Sequence, residues 1–182
     1  MKYVEPLKNK DDIEKISNYF KEQHSRNYLL FTLGINTPMR VTQLLNLRVI
    51  DVKNKEEITI MIGKRAVLFP LGKKVKEIIQ DYCKNKSDFD YLFTSIRVKN
   101  SIKPITKSQV NKILLKASIN CDIDDLGASS LRKTFAYFYY KRTKNIRNLM
   151  KLLNHHDQYY TLQYIGENKN IFDNDFLEWE EI

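Results

Sequence analysis

The chain has 182 residues, 42% of them hydrophobic, and a net charge of +9. That is room for one domain with a real core, which excludes wholesale disorder. Only Cys83 and Cys121 are present, too few for a disulfide framework or a cysteine zinc pattern, so free thiols in a cytoplasmic protein are expected.

The first element in chain order is a helix over Asp11 to Glu22, with Ile13, Ile16 and Phe20 on one face. Tyr28 to Leu33 reads as a buried helix, broken by Gly34-Ile35-Asn36-Thr37-Pro38. The apolar run there is too short to cross a membrane, and the N-terminus lacks the pattern of a secretion signal. A short helix follows over Val41 to Leu47, then strand signals at Val49 to Val52, Glu57 to Ile62 and Ala66 to Phe69. The turn Gly63-Lys64-Arg65 makes the last two a hairpin.

The remainder reads as helical. Val75 to Tyr82 has helical apolar spacing, Ser108 is placed to cap a helix to Asn120, and Ser129 or Ser130 to cap one through Tyr140. Further helices are expected over Asn145 to Leu153, Asp157 to Tyr164 and Phe172 to Glu180. The last is amphipathic: Phe172, Phe176 and Trp179 share one face, and Asp173, Asp175, Glu178, Glu180 and Glu181 occupy the rest. From Ile171 onward there is no base. The positive surplus is therefore concentrated in the preceding residues, as suits a polyanionic partner. The expected fold class is mainly α with a small antiparallel sheet (α+β), in one domain.

Several segments carry more than composition. Gly34-Ile35-Asn36-Thr37-Pro38-Met39-Arg40-Val41-Thr42-Gln43-Leu44-Leu45-Asn46-Leu47 resembles the first-arginine box of tyrosine recombinases, the phage integrases and their relatives. Ser129-Ser130-Leu131-Arg132-Lys133-Thr134-Phe135-Ala136 resembles their second-arginine box. Leu152-Leu153-Asn154-His155-His156 resembles the leucine-glycine-histidine turn, and Gln163-Tyr164 falls where the family's nucleophile sits. Gly63-Lys64, in the hairpin turn, matches the mobile lysine. The match runs over about residues 10 to 166, in the family's order and with its spacing. It departs at Ser129, where histidine is usual, at Gln43, where an acid is usual, at Asn154, where glycine is usual, and in the shortness of the hairpin.

The resemblance implies a recombinase catalytic-domain fold that breaks and rejoins DNA through a 3′-phosphotyrosyl link. Tyr164 would be the nucleophile, with Arg40, Lys64, Arg132 and His155 as the remaining catalytic groups. That set fits the chemistry. A tyrosine hydroxyl can attack phosphorus and later be expelled, guanidiniums clamp the charge of the transition state, and a cationic acid protonates the leaving oxygen. No metal or cofactor is required. Ser129, Arg65, Lys133 and Lys107 are expected to contact DNA. Tyr159 and Tyr160 are rival nucleophiles, and Arg65 is the alternative to Lys64. A metal site at His155 and His156 is rejected, because adjacent helical residues do not face each other and His24 is the only other histidine.

The resemblance also implies double-stranded DNA as partner and self-association on it as dimer or tetramer. The aromatic face of residues 171 to 182 needs a protein groove, on the chain's own core or on a neighbouring protomer, and the resemblance favours the neighbour; no N-terminal DNA-clamping domain is expected. The runner-up reading is a catalytically impaired homologue that serves as a DNA-binding regulator or accessory protein. Nothing in the residues names the target site or the outcome of recombination.

Overall fold

In a computed structural model, which describes residues 4–95, 103–124 and 126–167, apolar spacing becomes helix packing. Helix α1 (Lys10–Gln23) begins where Asn9 accepts the Asp11 N–H, and it buries Ile16 and Phe20. Helix α2 (Ser25–Asn36) is the most enclosed, with Leu29, Leu30, Phe31 and Leu33 all at 1% exposure or less. It packs against α1, α4 (Lys73–Cys83) and α6 (Ala128–Thr143).

Gly34 does not break α2. A Cβ there would lie 2.7 Å from Leu131 Cδ1, so glycine lets α2 and α6 approach closely. The helix ends at Thr37, which is extended at φ −134 because Pro38 disfavours helical geometry in the residue before it.

Short helix α3 (Val41–Leu45) follows, beginning at Arg40. The strand expected at Val49 to Val52 is instead a 3-10 turn, Val49–Asp51. Val49 N–H and Ile50 N–H donate to the Asp90 and Asp88 carbonyls, and Asp51 Oδ2 accepts from Arg48 N–H. The pairing with that distant segment stops at a single antiparallel bridge, Arg48 with Tyr91. The hairpin is as expected: β1 (Glu57–Ile62) pairs antiparallel with β2 (Arg65–Pro70), with Ile62 opposite Arg65 across the turn.

Helix α5 (Lys107–Cys121) is capped by Thr106 rather than Ser108, through a reciprocal pair in which Thr106 Oγ1 accepts from Gln109 N–H and Gln109 Oε1 from Thr106 N–H. Helix α6 starts one residue past Gly127, which puts Ser129 and Ser130 inside its first turn, where neither is the cap. Asn145 caps α7 (Ile146–Leu153) and Asp157 caps α8 (Gln158–Tyr164). The helix expected at 172–180 lies outside the described residues.

Two apolar clusters result. The larger joins α1 through α5 with the hairpin and the start of α6. The smaller gathers Phe135, Leu149, Leu153, Leu162 and Ile165 from α6, α7 and α8. The N-terminal segment lies along α6, where Leu7 N–H donates to Thr134 Oγ1 at 2.8 Å. None of the described helices is long and apolar enough to cross a membrane.

Candidate active site

Arg132 sits on the second turn of α6, at the seam between the two clusters. Its Nε donates to the Pro38 carbonyl at 2.6 Å and an Nη to the Leu153 carbonyl at 3.2 Å. One guanidinium thus ties the α2–α3 connection to the end of α7, a reach that follows from its forked geometry. Its charge also acts on the Tyr164 hydroxyl. Arg40, exposed at the start of α3, adds its charge to the same place.

Tyr164 ends α8, half-buried. Burial raises its pKa, and the Arg132 and Arg40 charges pull it back. The phenol therefore rests in its protonated form near neutrality, already facing the charges that would stabilise its anion. The rival Tyr159 and Tyr160 are about half exposed, at 47% and 51%. Tyr160 stacks edge-on against His155, at 4.8 Å between ring centres, as does Tyr164 at 5.1 Å.

His155 follows Asn154, whose left-handed backbone (φ 56) ends α7 and swings the histidine toward α8. Its Nδ1 lies 3.2 Å from Thr161 Oγ1. Thr161 has a single hydroxyl hydrogen, which goes to the Asp157 carbonyl at 2.7 Å. Thr161 can then only accept from His155, so Nδ1 carries the ring's hydrogen and Nε2 is left as an acceptor. Burial, followed by the Arg132, Arg40 and His156 charges, lowers the His155 pKa to about 4. The ring is a neutral base at physiological pH. Thr161 was not legible as a site residue; its one signal is a threonine one helical turn before Tyr164, on the histidine's side of α8.

Lys64 and Arg65 stand exposed at the hairpin turn. The turn is brought to the histidine's loop by Gly63, at positive φ, where a Cβ would lie 3.1 Å from Asn154 Oδ1. Gln43, in the family's acidic position, accepts from Arg40 N–H at 2.9 Å and donates to the Met61 carbonyl at 2.7 Å. Ser129 is half-buried in the first turn of α6, and Lys107 is exposed at the start of α5.

Lys133 is placed differently from the expectation that it contacts DNA. It is 5% exposed, donates to the Val4 carbonyl at 2.9 Å, and holds its ammonium 5.3 Å from the centre of the Tyr164 ring. Successive helical residues point about 100° apart, so Arg132 facing the site turns Lys133 inward. Its ammonium lies over the Tyr164 ring. Among the described residues no three His, Cys, Asp or Glu side chains converge as a metal site would need.

The sequence model of the phage integrase family matches residues 8–170. A probable integrase/recombinase, YoeC of Bacillus subtilis, is 35% identical over 170 residues, 91% of each chain. A tyrosine recombinase of Pseudothermotoga lettingae is 33% identical over 85% of this chain. The chain spans only 54% of that relative's length. Among solved structures, the XerA recombinase superposes with a TM-score of 0.75 at 19% identity, over 98% of this chain and 65% of its own. A lambda integrase fragment, solved as a dimer on a core site, gives 0.67 at 18%, over 100% and 64%. These two share the fold, a mainly helical catalytic domain with a small antiparallel sheet. With its arginines, histidine and tyrosine brought together in the family's order, this chain belongs to the phage integrase family.

Proposed function

We propose that the chain is a site-specific recombinase that breaks and rejoins DNA strands through a 3′-phosphotyrosyl link, with Tyr164 as nucleophile. The observation that carries this reading is the meeting of Tyr164 with Arg132, Arg40 and His155, which come from separate elements of the fold. The carbonyl bonds of Arg132 account for its own burial but not for Arg40, exposed and directed at the same phenol, since bringing like charges together costs stability. The cluster has a chemical use: stabilising the extra negative charge of a phosphorus under attack.

In the forward step the bond from Tyr164 Oη to phosphorus forms as the bond from phosphorus to O5′ breaks. The electron pair leaves on O5′. The phosphodiester energy stays in the new link, so rejoining needs no energy cofactor. His155 Nε2, the acceptor side of a neutral ring, is the base for the phenol proton. Lys64 Nζ, on the hairpin turn, supplies the proton that O5′ takes up. Arg40 and Arg132 clamp the non-bridging oxygens, each worth about 10²–10³-fold in rate. The Ser129 hydroxyl, Arg65 and Lys107 contact phosphates beside the scissile one.

Solved relatives support double-stranded DNA as the partner and self-assembly upon it: XerH holds its difH substrate, and lambda integrase is seen as a dimer on a core site and a tetramer on a Holliday junction. The test is covalent trapping on nicked suicide duplexes drawn from the DNA that flanks the coding gene. The wild-type chain should form an adduct and Tyr164→Phe none, with folding and DNA affinity unchanged. An adduct with the phenylalanine variant would move the nucleophile elsewhere, to Tyr160 or Tyr159. DNA binding by the wild type with no adduct would leave a DNA-binding relative without the chemistry.

A further inference from the structure

Ser129 apart, the chain's departures from its family's usual pattern gather on one object, the hairpin that carries Lys64. Gln43 replaces an acid, Asn154 replaces a glycine, and the strands β1 and β2 are only 6 residues each. Gln43 uses both halves of its amide. Its Oε1 takes the Arg40 N–H at 2.9 Å, and its Nε2 donates to the carbonyl of Met61, on β1 just before the turn. From the other side, the Asn154 side chain abuts Gly63 in the turn itself, at 3.1 Å from where a Cβ would stand. The residues usual in the family could make neither contact. A carboxylate has no hydrogen to give Met61, and glycine has no side chain.

Strand β1 buries Ile58, Ile60 and Ile62 in the larger cluster, whereas Gly63, Lys64 and Arg65 beyond them are exposed, as is Leu68 of β2 at 63%. An exposed turn opens more easily than the buried strand that carries it.

We propose that Gln43 and Asn154 are positioning residues that dock the Lys64 turn against the active site, so that the proton donor is in place before DNA arrives. This rests on the reading of Lys64 as donor to O5′.

The consequence can be isolated chemically. When sulfur replaces the bridging O5′, the leaving thiolate needs no proton, since a thiol is acidic near pH ~8.5 and an alcohol is not. Gln43→Glu keeps the acceptor for Arg40 N–H and loses the donor to Met61. Asn154→Gly removes the side chain while suiting the positive φ. On the ordinary duplexes each should slow adduct formation by about 10-fold or more, and on the 5′-thio duplexes each should come within about 3-fold of wild type. Lys64→Ala should follow the same pattern. Equal losses on both duplexes, or no loss on either, would overturn the proposal.

A second readout needs no catalysis. Backbone ¹⁵N relaxation of the free chain should find the Gly63 and Lys64 amides as rigid as those of β1 in the wild type and looser in both variants. A turn equally mobile in all three refutes the docking. If the wild-type chain attacks neither duplex, the proposed function fails, and relaxation alone then decides whether the turn is docked.

Discussion

Acid titration of His155 tests the electrostatics of the site without any substrate. The folded ring stays neutral down to about pH 4, whereas an unfolded imidazole takes its proton near pH ~6.5. Above the upper value both states are neutral, and the group adds no pH dependence. Between the two values the unfolded chain binds a proton that the folded chain refuses. Stability must therefore fall as pH falls, by up to about 1.4 kcal/mol per pH unit. Below the lower value both states are protonated and the slope from this group ends. The whole interval corresponds to about 3 kcal/mol. Water reaches part of the ring and screens the Arg132 and Arg40 contribution, so the expected loss is about 1–2 kcal/mol. The assay is urea unfolding at steps from about pH 7 to about pH 4, for the wild type and for His155→Gln. The carboxylates titrate alike in both chains, so the difference between the two curves isolates the imidazole. Parallel curves across the window, or a His155 ring resonance titrating near the unperturbed value, would refute the placement of this ring among the arginines.

Other perturbations have equally definite outcomes. Gly34→Ala drives a methyl to 2.7 Å from Leu131 Cδ1 and should cost about 1–3 kcal/mol in thermal unfolding; a gain in Tm would show that α2 and α6 are not in close contact. Arg132→Lys cannot span the Pro38 and Leu153 carbonyls, so it should lower stability by about 1–3 kcal/mol as well as cleavage, measured by calorimetry and adduct trapping. Arg40→Lys, at an exposed position, should slow cleavage with Tm nearly unchanged; equal stability losses at the two arginines would contradict their different burial. Ser129→His should raise the adduct rate or leave it unchanged, and a large loss with normal folding would show a site built around serine.

The boxes that name Arg40, Arg132, His155 and Tyr164 were legible because each is defined by short-range order, and the fold brings the four together. The hairpin was legible for the same reason: alternation and a glycine turn act within a dozen residues. Non-local physics defeated the rest. The Val49–Asp51 turn takes its partners from Asp88 and Asp90, which no local window contains. Gly34 reads as a breaker, yet its use is a contact with Leu131 on another helix. Lys133 follows the arginine of the second box and invites a phosphate, but one step along a helix is about 100° of rotation, enough to send it into the protein. Thr161 matters only because its hydrogen is already taken by Asp157, a fact about hydrogen-bond direction rather than residue type.

Arg132 explains why the site lies where it does. The two apolar clusters meet along α6, which contributes Leu131 to one and Phe135 to the other. A seam between cores leaves carbonyls where elements end, here Pro38 after α2 and Leu153 at the end of α7. A guanidinium has enough donors to answer both while its charge acts on Tyr164. Its desolvation is thus offset by backbone partners rather than by a carboxylate. An acid in that place would cancel the positive field that a phosphate needs. Satisfying a buried arginine with neutral carbonyls leaves its charge uncancelled for the chemistry proposed above, and the seam is where such carbonyls are found.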